Sequence, residues 1–128
     1  MSNTPDDRIY SDQHIWLLIE TDDIAKIGIT EYAQSELEDI VYVELPVVGQ
    51  ECKSTESCAV VESVKTASDI NAPADGKVVE INEKLVDSPE KINKSPYEDG
   101  WICKVQLYDK AAIDSLMDAS QYDSYISN

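Results

Sequence analysis

The chain offers few side chains able to do chemistry unaided. His14 is its only histidine, and its three cysteines are Cys52, Cys58 and Cys103. A hydrolytic triad needs a histidine placed between a nucleophile and a carboxylate. One early histidine in an apolar, strand-like context makes no such set, and His14 reads as a packed or surface residue. A zinc site would have to gather all three cysteines and His14 at spacings that match no common finger or ribbon. An odd cysteine count without a C-x-x-C pair argues against a disulfide framework, so three reduced thiols are expected. No glycine-rich phosphate loop is present. Carboxylates are so abundant that no pair stands out as an acid–base couple. Hard chemistry must then come from an attached group or from partner proteins.

One segment is distinctive: Val61-Glu62-Ser63-Val64-Lys65-Thr66-Ala67-Ser68-Asp69-Ile70-Asn71-Ala72-Pro73. A lysine in a turn is by itself ordinary, because lysines are usually exposed. This one has small neighbours, Ala67 and Ser68, which leave room beside it. With a free pKa of about 10.4, on the order of one lysine in a thousand is deprotonated at neutral pH. Any enzyme that modified such an amine would have to grip and deprotonate it, which a protruding rigid turn would permit.

The elements that must position Lys65 read as short strands. Trp16 to Ile19, an acidic turn at Thr21-Asp22-Asp23, and the alternating stretch 24–29 form a predicted hairpin. Thr30 can cap a short helix over 31–38, with Glu31 at the positive end of its dipole and Ala33 and Leu37 facing inward. Residues 40–45 are β-branched and aromatic, ended by Pro46, and Gly49 marks a turn. Residues 58–64 form the next strand. The extended piece 70–72 follows, and Pro73 keeps Ala72 from helix. Lys65 thus lies at or near a hairpin tip. Asp75-Gly76 is a turn signal, 77–81 alternates, 82–100 reads as a loop with one short helical turn, and 101–107 alternates again. Ile113, Leu116 and Met117 sit at helical spacing after Asp109, and Ser120 with Asp123 matches a capping pattern before Tyr125-Ile126, so two short helices close the chain. The fold class implied is a small all-β barrel or sandwich with helical appendages.

The 128 residues suffice for one domain with a core, and residues 1–7 read as a polar, flexible tail. With 26 acidic and 10 basic residues the net charge is −16, which disfavours nucleic acid and anionic membranes and favours partners with basic docking faces. No apolar run approaches the roughly 20 residues of a membrane-spanning helix. The polar, acidic start has neither a secretory nor a transit pattern, so a bacterial cytoplasmic location is expected, or a mitochondrial one only if a transit peptide has been removed.

Glu62-Ser63-Val64-Lys65, followed by small residues and then Ala72-Pro73, resembles the lipoylation site of glycine cleavage system H proteins. The resemblance runs through most of the chain: Ile27-Gly28-Ile29-Thr30, Tyr32-Ala33-Gln34, 39–46, Gly49, Asp87-Ser88-Pro89, Ile92-Asn93, Pro96-Tyr97 and Gly100-Trp101 are similar to family signatures. Glu62, three residues before Lys65, and Gly76, eleven after it, stand at the spacings typical of the modification site. The resemblance implies a mainly β barrel-sandwich hybrid of the lipoyl/biotinyl type, two small antiparallel sheets in a single domain, expected to be monomeric. It implies a non-catalytic carrier with (R)-lipoate joined covalently to Lys65 as N6-lipoyllysine. Glu62 and Gly76 would serve recognition of the modification site, and Asp69, His14 and Tyr32 would line a cleft for the loaded arm.

The implied partners are a pyridoxal-phosphate glycine decarboxylase, a tetrahydrofolate-dependent aminomethyltransferase, dihydrolipoamide dehydrogenase and a lipoyl ligase or lipoyltransferase. The arm would take an aminomethyl group from the first to the second and be reoxidised by the third. Biotin carriers share the fold but flank their lysine with methionines, where this chain has Val64 and Thr66. The chain departs from the family at Ile15, where a glutamate is usual, and at the 53–56 turn, which lacks the usual glycine. Ile15 cannot accept a hydrogen bond from an aminomethyl nitrogen. A second reading is therefore an H-like carrier that relays lipoate, or serves another redox system, without glycine cleavage. A third is an unmodified interaction module.

Overall fold

The computed structural model describes residues 4–54 and 56–127. Among them, nine strands form two antiparallel sheets. The larger sheet joins, in spatial order, β1 (Ile9–Tyr10), β2 (Ile15–Thr21), β3 (Ile24–Ile29), β9 (Cys103–Leu107), β8 (Gly76–Ile81) and β5 (Glu51–Cys52). The smaller sheet joins β4 (Ile40–Glu44), β6 (Ser57–Ser63) and β7 (Ala67–Asn71). The expected mainly β, two-sheet architecture is therefore present, as an open sandwich rather than a closed barrel.

The continuous apolar run at the start of β2 has a physical reason. Successive strand side chains point to opposite faces, and both faces of β2 are covered. Ile15 and Leu17 enter the main core between the sheets, with Ile27 and Ile29 from β3, Val61 from β6 and Val105 from β9. Trp16 points the other way, into a second cluster with Tyr10 and Tyr122. Its register partner is Gly28, where an added Cβ would come within 2.6 Å of the indole ring. Only glycine lets Trp16 lie flat across β3, where its indole N–H donates to the Pro96 carbonyl at 3.0 Å.

The helical pieces differ in part from expectation. Helix α1 (Glu31–Leu37) forms with the expected cap, the Thr30 hydroxyl accepting from the Ala33 amide, but stops one residue short of the expected 31–38 because Glu38 turns to positive φ. The stretch 82–100 holds two helical turns rather than one, α2 (Lys84–Asp87) and α3 (Lys91–Lys94), each burying one apolar residue, Leu85 and Ile92. A 3-10 turn, Lys110–Ser115, follows the Asp109 cap, whose carboxylate accepts from the Ala111 amide. The final helix, α4 (Ala119–Ser127), starts before the expected Ser120 cap. Asp118 caps it instead, in a reciprocal box. Asp118 Oδ1 accepts from the Gln121 amide, and Gln121 Oε1 accepts from the Asp118 amide.

The expectation of three reduced thiols is corrected. Cys52 on β5 and Cys58 on β6 are joined as a disulfide with Cα atoms 5.7 Å apart, tying the two sheets together, and Cys103 is a free, buried thiol. Spacing along the chain could not show this, because the pairing depends on the edge of one sheet lying over the other. Of the expected N-terminal tail, residues 1–3 lie outside the described residues. Beyond them, the Pro5 carbonyl accepts from the Tyr10 hydroxyl, and Asp7 pairs with the buried Arg8 at 2.8 Å. The Arg8 guanidinium lies over the Trp16 ring, 4.7 Å from its centroid, and donates to the Tyr97 carbonyl. No helix among the described residues is long and apolar enough to cross a membrane.

Candidate functional site

Lys65 stands at the tip of the β6–β7 hairpin, and one serine builds that tip. The Ser63 amide donates to the Thr66 carbonyl at 2.8 Å, closing the turn. The Ser63 hydroxyl accepts from the amides of Lys65 and Thr66, each at 3.2 Å, and donates to the Thr66 carbonyl at 3.1 Å. One hydroxyl hydrogen and two lone pairs are thereby all used. The tip is also bolted to its neighbour strand, since the Val64 amide donates to the Asp39 carbonyl at 3.0 Å. A rigid turn thus projects a side chain that remains 53% exposed.

Of the acidic residues on the small sheet, Glu62 is exposed on β6, across from Tyr42 on β4 and Ala67 on β7. Its side chain makes no hydrogen bond or ion pair with the described residues and so is open to a partner. Asp69 is also exposed, on β7, and accepts a hydrogen bond from Ser57 at 3.3 Å. The ion-pair partner of Lys65 is neither of these but Glu38, just past α1, whose carboxylate lies 3.5 Å from Nζ.

Gly76 lies far from the tip. It opens β8 in the larger sheet, buried between Cys52 of β5 and Leu107 of β9, beyond the other end of β7. A Cβ there would meet the Gln106 carbonyl oxygen at 2.7 Å. Close backbone packing alone therefore accounts for glycine at this position.

His14 and Tyr32 are brought together, with ring centroids 4.8 Å apart. They belong to an aromatic cluster held by α4, in which the Tyr122 hydroxyl bridges His14 Nδ1 at 2.8 Å and Thr30 Oγ1 at 2.7 Å. Desolvation holds the His14 pKa below its ordinary value and pushes that of Tyr122 up to about 12. Both are neutral near pH 7, as a partly desolvated hydrogen-bonded pair should be. Asp69 makes no contact with this cluster among the described residues.

A shallow cavity of about 290 Å³ opens between the Ser11-Asp12-Gln13 turn and the Asn71-Ala72-Pro73 end of β7. Ile15 does not face it. Its side chain is 2% exposed and belongs to the main core, so the chain holds apolar packing where a carboxylate was expected. No group of three or more His, Cys, Asp or Glu among the described residues could hold a metal ion, and burial pushes the Cys103 thiol up to about 12, leaving it protonated and unreactive.

Sequence reasoning missed Glu38, Tyr122 and the saturated role of Ser63. Tyr122 carried no local signal, since its partners Thr30 and His14 are about a hundred residues away. Glu38 carried none either: the positive-φ residue after a helix is usually glycine, and this chain has glutamate there.

Comparison with known proteins agrees with this geometry. Residues 8–128 match the family model described as glycine cleavage H-protein. A glycine cleavage system H protein of Symbiobacterium thermophilum is 52% identical over 98% of this chain and 97% of its own length. One from a Geobacillus species is 52% identical over 97% of each. The crystal structure of a glycine cleavage system H protein from Mycobacterium marinum superposes with a TM-score of 0.88 at 41% identity, covering 97% of this chain and 99% of that one. The tip lysine, the two-sheet sandwich and the whole-length likeness converge: the chain belongs to the glycine cleavage H-protein family.

Proposed function

We propose that this chain is the lipoyl carrier of a bacterial glycine cleavage system, with the lipoyl group joined to the Nζ of Lys65. The observation that carries the reading is the tip itself: an exposed primary amine on a turn whose polar backbone groups are held by Ser63 and Asp39. Such a turn presents one reachable nucleophile while the strands behind it stay rigid. The residues fit the group, since Ala67 and Ser68 beside the tip are small and the Lys65 side chain is 53% exposed, with Glu38 its ion-pair partner. When bound, the lipoyl group supplies a disulfide that opens to accept the aminomethyl group formed from glycine by a pyridoxal-phosphate decarboxylase, yields it to an aminomethyltransferase and is closed again by dihydrolipoamide dehydrogenase.

The chain's own residues position and shelter rather than catalyse. Glu62, unpaired on the face that Lys65 crowns, offers a carboxylate to a basic groove on the modifying enzyme. The outer face of β7 leads from the tip past Asp69 to the cavity at Asn71, giving a folded-back arm a path and a carboxylate beside it. His14 and Tyr32, in ring contact, form an aromatic wall near the Ser11-Asp12-Gln13 turn. The net charge of −16 favours encounter with basic faces on soluble partners in the bacterial cytoplasm. The lipoate-relay reading rests on Ile15, which places no carboxylate in the cavity.

Acylation with lipoate by a lipoyl ligase, followed by peptide mapping, tests the site: one lipoyl group is expected on Lys65 and none on Lys65→Arg. Glycine-dependent exchange of carbon dioxide with cognate decarboxylase tests the role. A Lys65-lipoylated protein inert in that exchange would remove glycine cleavage and leave the relay.

A further inference from the structure

Only two residues other than glycine have a positive φ among the described residues, His14 and Glu38. Glu38 is the more unusual, with φ 66° and ψ −147°. That region is open to glycine and strongly disfavoured for a residue with a Cβ. Such a conformation persists only where the surroundings impose it, and here they do. The Glu38 amide donates to the Gln34 carbonyl at 2.9 Å, and its carbonyl accepts from Asn93 Nδ2 at 2.8 Å. Asn93 Oδ1 in turn accepts from the Ile40 amide at 2.9 Å, so one side chain clamps the backbone on both sides of Glu38. Between them, the Asp39 carbonyl holds the Lys65 turn through the Val64 amide. This strained corner is thus fixed to the hairpin tip, and it aims the Glu38 carboxylate at the Lys65 amine, 3.5 Å away.

We propose that Glu38 is a positioning residue for Lys65, a tether that holds the unmodified ammonium against the α1–β4 corner and lets go once the lysine is acylated. The inference rests on Lys65 being the lipoylated residue. The acylation itself balances without Glu38. The ammonium loses one proton to become a nucleophile, and the C–N bond forms with an activated lipoyl acyl donor. The donor's leaving group departs with its electron pair, and the nitrogen releases a second proton. The amide that remains has no cation, so the pair with Glu38 ceases to exist. Before that, the contact with Glu38 has to be broken for the amine to reach the enzyme that acylates it. The tether is a brake on modification and is absent from the loaded carrier. Glu62 and Asp69 cannot substitute for it, because neither contacts the amine.

The test is the kcat/KM of a lipoyl ligase acting on the full chain and on its Glu38→Gln, Glu38→Gly and Glu38→Asp variants. Removing the carboxylate should raise kcat/KM by about two- to fivefold, the range an exposed ion pair supports. Glu38→Gln and Glu38→Gly should agree, although only the second relieves the backbone, and Glu38→Asp should return towards the starting value. In amide NMR spectra of the unmodified protein, Glu38→Gln should shift the Lys65 and Thr66 signals, and the same substitution in the lipoylated protein should leave them in place. An unchanged or lower kcat/KM in both Glu38→Gln and Glu38→Gly overturns the tether, a lower one marking Glu38 as part of the ligase docking face. Glu38→Gly is expected to melt higher than the parent, so loss of fold does not confuse the result. If the parent chain itself accepts no lipoate at Lys65, the proposed function fails, and that outcome is distinct from equal rates in parent and variants.

Discussion

Gly76 separates a recognition role from a packing role, and Gly76→Ala is the perturbation that does so. An added Cβ would stand 2.7 Å from the Gln106 carbonyl oxygen and 3.4 Å from the Val105 side chain. The first contact is with backbone in the neighbouring strand of a continuous sheet, so it cannot be relieved by a rotamer change. Strand β8 has to move away from β9 by several tenths of an ångström, at a point where Cys52 of β5 pairs on the other side. Overpacking of this kind costs about 2 kcal/mol, which lowers Tm by roughly 6–10 °C in a domain of this size. The site also lies about 15 Å or more from the tip, judged from the length of β7 at ~3.3 Å per residue. The expected outcome is therefore a lower midpoint in urea and in thermal melts, with the folded fraction still lipoylated at the parent rate. A variant as stable as the parent that is lipoylated many-fold more slowly would refute the packing argument and return Gly76 to the ligase.

Four further outcomes are expected. Tyr122→Phe leaves His14 Nδ1 and Thr30 Oγ1 without their shared hydroxyl and should cost about 1–3 kcal/mol in urea unfolding. Burial lowers the His14 pKa in the fold, so the unfolded chain takes up the proton first. Stability is then full above the unfolded value of about 6.5 and declines as pH falls below it. His14→Asn, which tolerates the positive φ of 66°, should flatten that acid-side slope. Ser63→Ala frees the amides of Lys65 and Thr66, and hydrogen exchange at these two positions should speed up while the sheet core stays protected. Under non-reducing conditions the intact protein should be lighter than its reduced form by two hydrogens, with fragments linking Cys52 to Cys58.

What the amino-acid pattern made legible, and what it hid, follows from range. The hairpin of β2 and β3, the Thr30 cap and the Lys65 tip are local: alternation, a capping side chain and a small-residue turn write them within fifteen residues of chain. The second helical turn within 82–100 was hidden because each helix is a single turn with one buried apolar residue, Leu85 or Ile92, and one residue cannot show a period. The true start of α4 was readable in Asp118-x-x-Gln121 but was masked by the similar spacing of Ser120 and Asp123. The disulfide, the Tyr122 bridge and the Glu38–Lys65 pair join residues from different elements, and no local pattern reports such contacts. Ile15 shows the same lesson at the site. Its apolar character reads as a missing carboxylate when the position is taken alone, and as ordinary core packing once Leu17, Ile27 and Ile29 surround it.

The central claim is that Lys65 bears the lipoyl group. Its most direct test is the intact mass, with peptide mapping, of this protein purified from its native host. A population heavier than the unmodified chain by one lipoyl group, with the increment on the peptide containing Lys65, is the result expected. An unshifted mass from cells that contain active lipoyl ligase, or an increment on any other lysine, would contradict the account.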